Sequence, residues 1–421
     1  MAGGQDKPRC CLGGLAVSLC QTVGLARGKM SIFDDVDRAH DEGARHDEGH
    51  FEYLNRSGRP ALAAVRAWID DALLRYPDKD RNSLVGKIKS ADEVAHRSGL
   101  FELLLHEALL KSGCVVEAIE PALPHTDKSP DFLVRAPNGE RLYLEATLAT
   151  GLSDADRRAR KRLNAAIEAV NSVRSQDYVL DATFRGTPSQ PIRLRRLRER
   201  IEGWLQMLDY DTVSETWQRQ IGTPAPFRHE ESDLAVELRA IPRPNRQAPP
   251  GRAIAIQGGD AWSRTIGSAL RQAIEGKVNR YGELDLPFVV AVNGTDHNGE
   301  DHDVFAALLG QEVVRIPYGP EGLRQADAYW DRDGNGVWVR PDGVPRRQGL
   351  SGVLAFNELS VWSAPKRRGL YVPNPWARQS LDAFPLAVDQ MEVHGDELRR
   401  NQGASFGAVL GLPDDWLENL D

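Results

Sequence analysis

The stretch SPDFLVRAPNGERLYLEATLAT, Ser129 to Thr150, narrows the fold more than any other part of the chain. Pro137 suits the first central position of a type I turn, Asn138 the second, and Gly139 the left-handed position that follows. That chemistry predicts a three-residue hairpin loop with Ala136 opposite Glu140. In this register one face carries Phe132, Val134, Leu142, Leu144 and Ala146, an unbroken apolar surface for a core. The other carries Asp131, Leu133, Arg135, Arg141, Tyr143, Glu145 and Thr147. Asp131 lies across from Glu145, with Cβ atoms about 5 Å apart. A slip of one residue would send the two carboxylates to opposite faces.

Two facing carboxylates repel unless a cation lies between them or one takes a proton. Hard oxygen donors of this kind suit Mg²⁺ or Mn²⁺. The other reading of the hairpin alone is a wet sheet face on which Arg135 and Arg141 pair with the acids. The upstream helix LFELLLHEALL adds a third carboxylate. At about 100° per residue, His96, Arg97, Glu107 and Lys111 fall on one side, expected to be wet. Glu102 and His106 fall on the far side among Leu105, Leu109 and Leu110. A Glu there is costly without a partner.

The order of these residues resembles the PD-(D/E)xK nucleases, the restriction-endonuclease-like superfamily: a helix with Glu102, then Pro130-Asp131 opening a strand, then Glu145-Ala146-Thr147 on the next. The resemblance covers roughly residues 98–173 and extends to about 293. It implies an α/β fold with a restriction-endonuclease-like core, α-β-β-β-α-β, in which helices flank a central mixed sheet. It also implies hydrolysis of phosphodiester bonds with Mg²⁺ or Mn²⁺. Asp131 and Glu145 would hold the ion, Glu102 directly or through water, with the Ala146 carbonyl as a further ligand, and the metal would acidify the attacking water.

The departure is Thr147, where the family usually has lysine. Either catalysis is lost and the chain is a nuclease-fold module that binds nucleic acid or a protein, or the cation comes from elsewhere. Lys161 lies opposite the apolar stripe of its helix and is expected in solvent. Lys277 falls in the middle of the stripe Ile266, Leu270, Ala273, Ile274, Tyr281, where it must snorkel or find a buried anion. Arg162, at the edge of its stripe, is a further candidate.

Between Arg157 and Arg200 there are 12 basic residues and 4 acidic ones (Glu168, Asp177, Asp181, Glu199), while the whole chain carries −8. Charge segregated in this way suits a phosphate backbone, and Arg157, Arg158, Arg160, Lys161 and Arg162 are the expected contacts. An Arg-rich solvated helix surface is the other reading. Nucleic acid, DNA ahead of RNA, is the expected partner, and the chain is compatible with a homodimer.

At 421 residues, one elaborated domain or two are expected. Residues 30–95 read as a helical N-terminal region and 96–300 as the core, interrupted by a proline-bearing insertion at 185–250. Residues 301–421 read as a Trp-, Pro- and Gly-rich α+β region packed on the core, in which GVWVR and GVLAF look like strands. Met30 opens a natural-looking start, so residues 1–29 are expected to be a non-native or disordered extension, with a signal peptide as the alternative. Three of the four cysteines, Cys10, Cys11 and Cys20, lie there, leaving Cys114 in the body. That usage suits a reducing cytoplasm. No apolar run reaches the roughly 20 residues of a membrane helix. The run DRDGNG, Asp331 to Gly336, matches half a calcium loop but reads better as a tight turn. The stretch with His297 and His302 reads as a polar loop.

Overall fold

The hairpin forms in the register its turn dictates. In the computed structural model of the protein, Ala136 N–H donates to the Glu140 carbonyl at 2.8 Å, and Gly139 takes a φ of 89°. The residues described are 31–38, 42–219, 226–247, 249–259, 266–295, 299–319, 322–323, 328–340, 342–394, 397–418 and 420. The extension at 1–29 and His297 lie outside them. No helix among these residues is long and apolar enough to cross a membrane.

The chain opens with α1 (His50–Arg56), α2 (Pro60–Arg75) and α3 (Asp78–Ile88), which gather around α4 (Glu93–Lys111). Asp92 caps α4 by accepting from Ala95 N–H, and Gly113, at φ 76°, turns the chain out of it. The strands β1 (Val115–Ile119), β2 (Phe132–Arg135) and β3 (Arg141–Ala149) follow. Leu133 pairs with Tyr143 and Arg135 with Arg141. Phe132, Val134, Leu142, Leu144 and Ala146 are all buried beneath α4. Each large side chain so buried contributes about 1.5–3 kcal/mol, which a register slip would forfeit.

A second unit comes next: α5 (Asp154–Asn171), β4 (Tyr178–Gly186), α6 (Leu194–Gln206), α7 (Tyr210–Gln218), β5 (Phe227–Glu231), β6 (Leu234–Pro242) and β7 (Ile254–Gly259). Its four strands form their own sheet, in the order β5-β6-β4-β7. Its core is also its own, with Ile167, Val170, Leu180, Leu197, Ile201 and Leu238 at the centre. The excursion expected at 185–250 therefore sits inside a longer folded unit, and the helix after β3 belongs to that unit rather than to the main sheet.

The main sheet resumes with α8 (Ile266–Val278) and β8 (Phe288–Gly294), the latter parallel to β3. Then come α9 (Asp301–Leu309), β9 (Glu312–Arg315), β10 (Tyr318–Gly319), β11 (Gly322–Leu323), β12 (Tyr329–Arg332), β13 (Gly352–Asn357), β14 (Leu370–Pro373), β15 (Asp389–His394), β16 (Glu397–Asn401) and α10 (Phe406–Leu410). The result is a mixed eight-stranded sheet, β1-β2-β3-β8-β13-β14-β15-β16. The C-terminal region thus supplies half of the main sheet. GVLAF is β13, but GVWVR makes only an isolated bridge at Val339. DRDGNG leaves β12 after Arg332 and turns at Asp333, whose carboxylate accepts from Gln311 and Asn335 N–H.

The sheet is covered on both faces. Leu144, Val289, Ala291 and Leu354 lie in one core with α2, α4 and α10. Tyr143, Val290, Val292 and Val353 lie in the other with α8 and α9. Two readings of helix α4 change for this reason. Glu107 and His96, expected in solvent, are each 1% exposed, because α1 to α3 cover the side of α4 that the sheet leaves free. Glu107 accepts from Arg75 of α2, with Nη2 at 2.7 Å. His96 places Nδ1 on the Ile88 carbonyl, and burial holds the ring below the usual histidine range.

Candidate active site

Asp131 precedes β2 and reaches back to the hairpin partner. Its backbone N–H donates to Glu145 Oε2 at 3.2 Å, and its own Oδ2 accepts from Ala146 N–H at 2.6 Å. The two carboxylates therefore stand close together: Glu145 on the sheet face that α8 covers, and Asp131 at its edge, where it also lines a cavity with residues of α3 and α4. That face is not wet: Glu145 is 1% exposed and Thr147 is buried. Arg135 and Arg141 do not pair with these acids. Both turn to Glu117 of β1, at 3.0 and 2.8 Å.

The cation for Glu145 comes from α8. Lys277 Nζ pairs with Glu145 Oε1, and the Tyr281 hydroxyl donates to Oε2 at 2.7 Å. Lys277 stands in the apolar stripe of its helix and meets a buried anion instead of snorkelling. Tyr281, four residues on, was legible only as an apolar member of that stripe. Burial beside the Glu145 charge pushes its hydroxyl well above the usual tyrosine range, so it stays a donor. Thr147 lies on the same face as Glu145, two residues along the strand, and its hydroxyl makes no hydrogen bond among the described residues.

Glu102 sits on α4, 6% exposed, and its partner is a residue the sequence did not suggest. Lys87 Nζ of α3 reaches both of its oxygens, at 2.8 and 2.9 Å. Burial raises the Glu102 carboxyl above its ordinary range, against the opposing pull of Lys87 and Lys277. A cavity of about 30 Å³ lies alongside, lined by Tyr76, Asp80, Lys87, Glu102, Glu120 and Asp131 among others. It has room for about one or two waters. Glu120 holds a φ of 45°, the left-handed region that a non-glycine residue enters at a cost. Nothing in its sequence neighbourhood signals that strain.

Asp131 responds to all of these charges. Burial, then the Glu145 and Glu102 charges, push its carboxyl up to about 8; Lys277 and the Ala146 N–H only partly oppose this. Close carboxylates with too little positive charge between them behave in this way. Among the described residues no three His, Cys, Asp or Glu side chains cluster closely enough to hold an ion by themselves. Lys277 and Lys87 stand on Glu145 and Glu102 instead. Asp131 and Glu145 are the residues that could share a Mg²⁺ or Mn²⁺, since Mg²⁺ is commonly held by one or two carboxylates, water and substrate phosphate.

The basic residues lie elsewhere. Arg157 is tied to Asp154 and the Leu152 carbonyl, and Arg162 donates to the Pro188 carbonyl at 2.8 Å, so Arg162 does not reach the carboxylates. Arg158, Arg160 and Lys161 are exposed on α5, Lys161 as its position opposite the apolar stripe requires. Helix α6 packs beside α5 and adds exposed Arg196 and Arg198. No family model, no curated protein and no solved structure matches this chain, so the functional reading rests on the site's own residues.

Proposed function

We propose that the chain is a divalent-cation-dependent nuclease with a restriction-endonuclease-like core formed by α4, β1, β2, β3, α8 and β8. The observation that carries this reading is Lys277 on Glu145. A lysine from the following helix supplies, beside the acidic pair, the ammonium that the strand lacks at Thr147. Setting aside the unit at 154–259, the order of the remaining elements is α-β-β-β-α-β. Asp131 and Glu145 would hold Mg²⁺ or Mn²⁺, with Glu102, which lines the same cavity as Asp131, acting through water. Bound there, the cation supplies charge to the phosphate and lowers the pKa of a water. Lys277 and Tyr281 fix Glu145, and the Lys277 ammonium is placed to orient a water or meet negative charge.

The test is cleavage of plasmid, linear duplex, single-stranded DNA and RNA with Mg²⁺, Mn²⁺ or EDTA. Wild type should cut in either cation and not in EDTA. Asp131→Ala should lower the rate by roughly 10³-fold or more, the scale on which loss of an essential group acts. If wild type cuts nothing in either cation yet binds nucleic acid, the catalytic reading fails and Thr147 marks a binding module.

Arg158, Arg160, Lys161, Arg196 and Arg198 form an exposed cationic group on the two packed helices α5 and α6, with no hydrogen bond or ion pair among the described residues. We assign it to the phosphate backbone. Changing all five to serine should weaken duplex binding and make the plot of log Kd against log salt shallower by about 4. Fluorescence anisotropy between 50 and 300 mM salt would read this. An unchanged slope would remove the face from the interface.

A further inference from the structure

The middle of α4 carries a glycine, Gly99, where alanine would be more stable by roughly 0.5–1 kcal/mol. The reason is contact with α3. A Cβ on Gly99 would meet the Lys87 Cβ at 2.9 Å and the Ile88 backbone nitrogen at 3.0 Å. The missing side chain lets the Lys87 stem lie across α4, and Glu102, three residues on, shares that helix face. Lys87 Nζ then sits almost equally on both Glu102 oxygens, at 2.8 and 2.9 Å. It lines the same cavity as Asp131 and Glu120.

We infer that Lys87 is a positioning residue of the candidate site, which acts by competing with a divalent cation for Glu102. This rests on the reading that Asp131 and Glu145 hold such a cation. The ammonium occupies both oxygens of the third carboxylate and places a positive charge beside the cavity. Two consequences follow. Lys87 weakens cation binding, by repulsion and by withholding Glu102 as a ligand. It also keeps Glu102 one step removed from the ion, so the positive charge offered to the phosphate is not cancelled by a third carboxylate. Removing Lys87 should therefore move cation affinity and turnover in opposite directions. Loss of structure would weaken both.

The test is Mn²⁺ titration calorimetry on the full chain without nucleic acid, paired with cleavage at saturating Mn²⁺. Lys87→Met should bind Mn²⁺ about 10-fold more tightly, the scale of one nearby charge in a partly screened site, and cut at least several-fold more slowly. Lys87→Arg, which can also span the carboxylate, should bring both values back toward wild type. Gly99→Ala keeps the charge but pushes the stem away, so it should shift affinity in the same direction if Lys87→Met folds poorly. Adding Glu102→Gln should abolish the affinity gain. Mn²⁺ affinity unchanged in Lys87→Met and Gly99→Ala, with only the melting temperature lowered, would overturn the inference and leave Lys87 a clasp between helices. Wild type that binds no more Mn²⁺ than Asp131→Ala would instead overturn the cation reading beneath it.

Discussion

Lys277→Met should lower the rate of metal-dependent cleavage by roughly 10²–10⁴-fold, the range in which a positioned acid–base or charge-stabilising group acts. Substrate affinity should change little, because the basic face on α5 and α6 is separate from α8 in the chain and in its packing. Methionine preserves the apolar stem among Leu270, Ile274 and their neighbours, so the loss falls on the ammonium. Glu145 keeps Tyr281 and the Asp131 N–H, which limits the structural cost. The stronger form of the experiment restores the charge from the strand. Residue 147 lies on the same face as Glu145, as strand alternation requires. Thr147→Lys in the Lys277→Met background should therefore recover at least tenfold. Full activity in Lys277→Met would sink the assignment. A single Thr147→Lys should not help, since two ammonium groups would then compete for one buried carboxylate.

The second large effect is on stability. Asp389, at the start of β15, is fully buried and gathers Arg368 at 2.6 and 3.0 Å, Arg400, and the Gly403 N–H at 2.7 Å. It ties the last two strands of the main sheet to the chain that leaves them, and Arg400 also reaches Asp301 at the start of α9. Breaking a buried pair costs about 3–5 kcal/mol. The two arginine side chains are 41% and 37% exposed and can turn to water, so about 2–3 kcal/mol is expected for Asp389→Ala. A lowered denaturant midpoint would show it. Burial alone would raise the Asp389 carboxyl, but the hydrogen bonds from Arg368, Arg400 and Gly403 outweigh it and hold the group far below the usual range. Its stabilisation is then complete above the unfolded value of about 3.9 and is lost as pH falls below it. Wild type should lose this part of its stability progressively from about pH 4 downward, and Asp389→Asn should lack that component. Equal acid slopes in the two proteins would refute it.

The parts of the site that rest on local rules were legible in the sequence. The APNGE turn dictates the register, and the register brings Asp131 to Glu145. Lys277 stood out because a cation in the middle of an apolar stripe needs an anion, and Glu145 is that anion. What needed a third element was not legible. Glu107 and His96 look solvated on an isolated helix, and only the arrival of α2 and α3 buries them. Lys87 is an ordinary helix lysine until Gly99 is seen to make room for it. The unit at 154–259 reads in sequence as core plus excursion, because alternating helices and strands carry no mark of which sheet they join. Only the separate cluster around Leu180, Leu197 and Leu238 shows the division.

That unit has a consequence for when the site comes into being. Glu145 and Lys277 are 132 residues apart, and an entire folded body lies between them. During synthesis the acidic pair emerges long before its lysine, so the two carboxylates face each other uncompensated while α5 to β7 are still being made. Loop closure over such a distance is unfavourable until the intervening chain has compacted, and non-local pairing of this kind is slow. The acidic strand and its ammonium can meet only after the whole inserted body and α8 have been synthesised. The Lys277–Glu145 pair is therefore absent from any nascent chain that ends before α8.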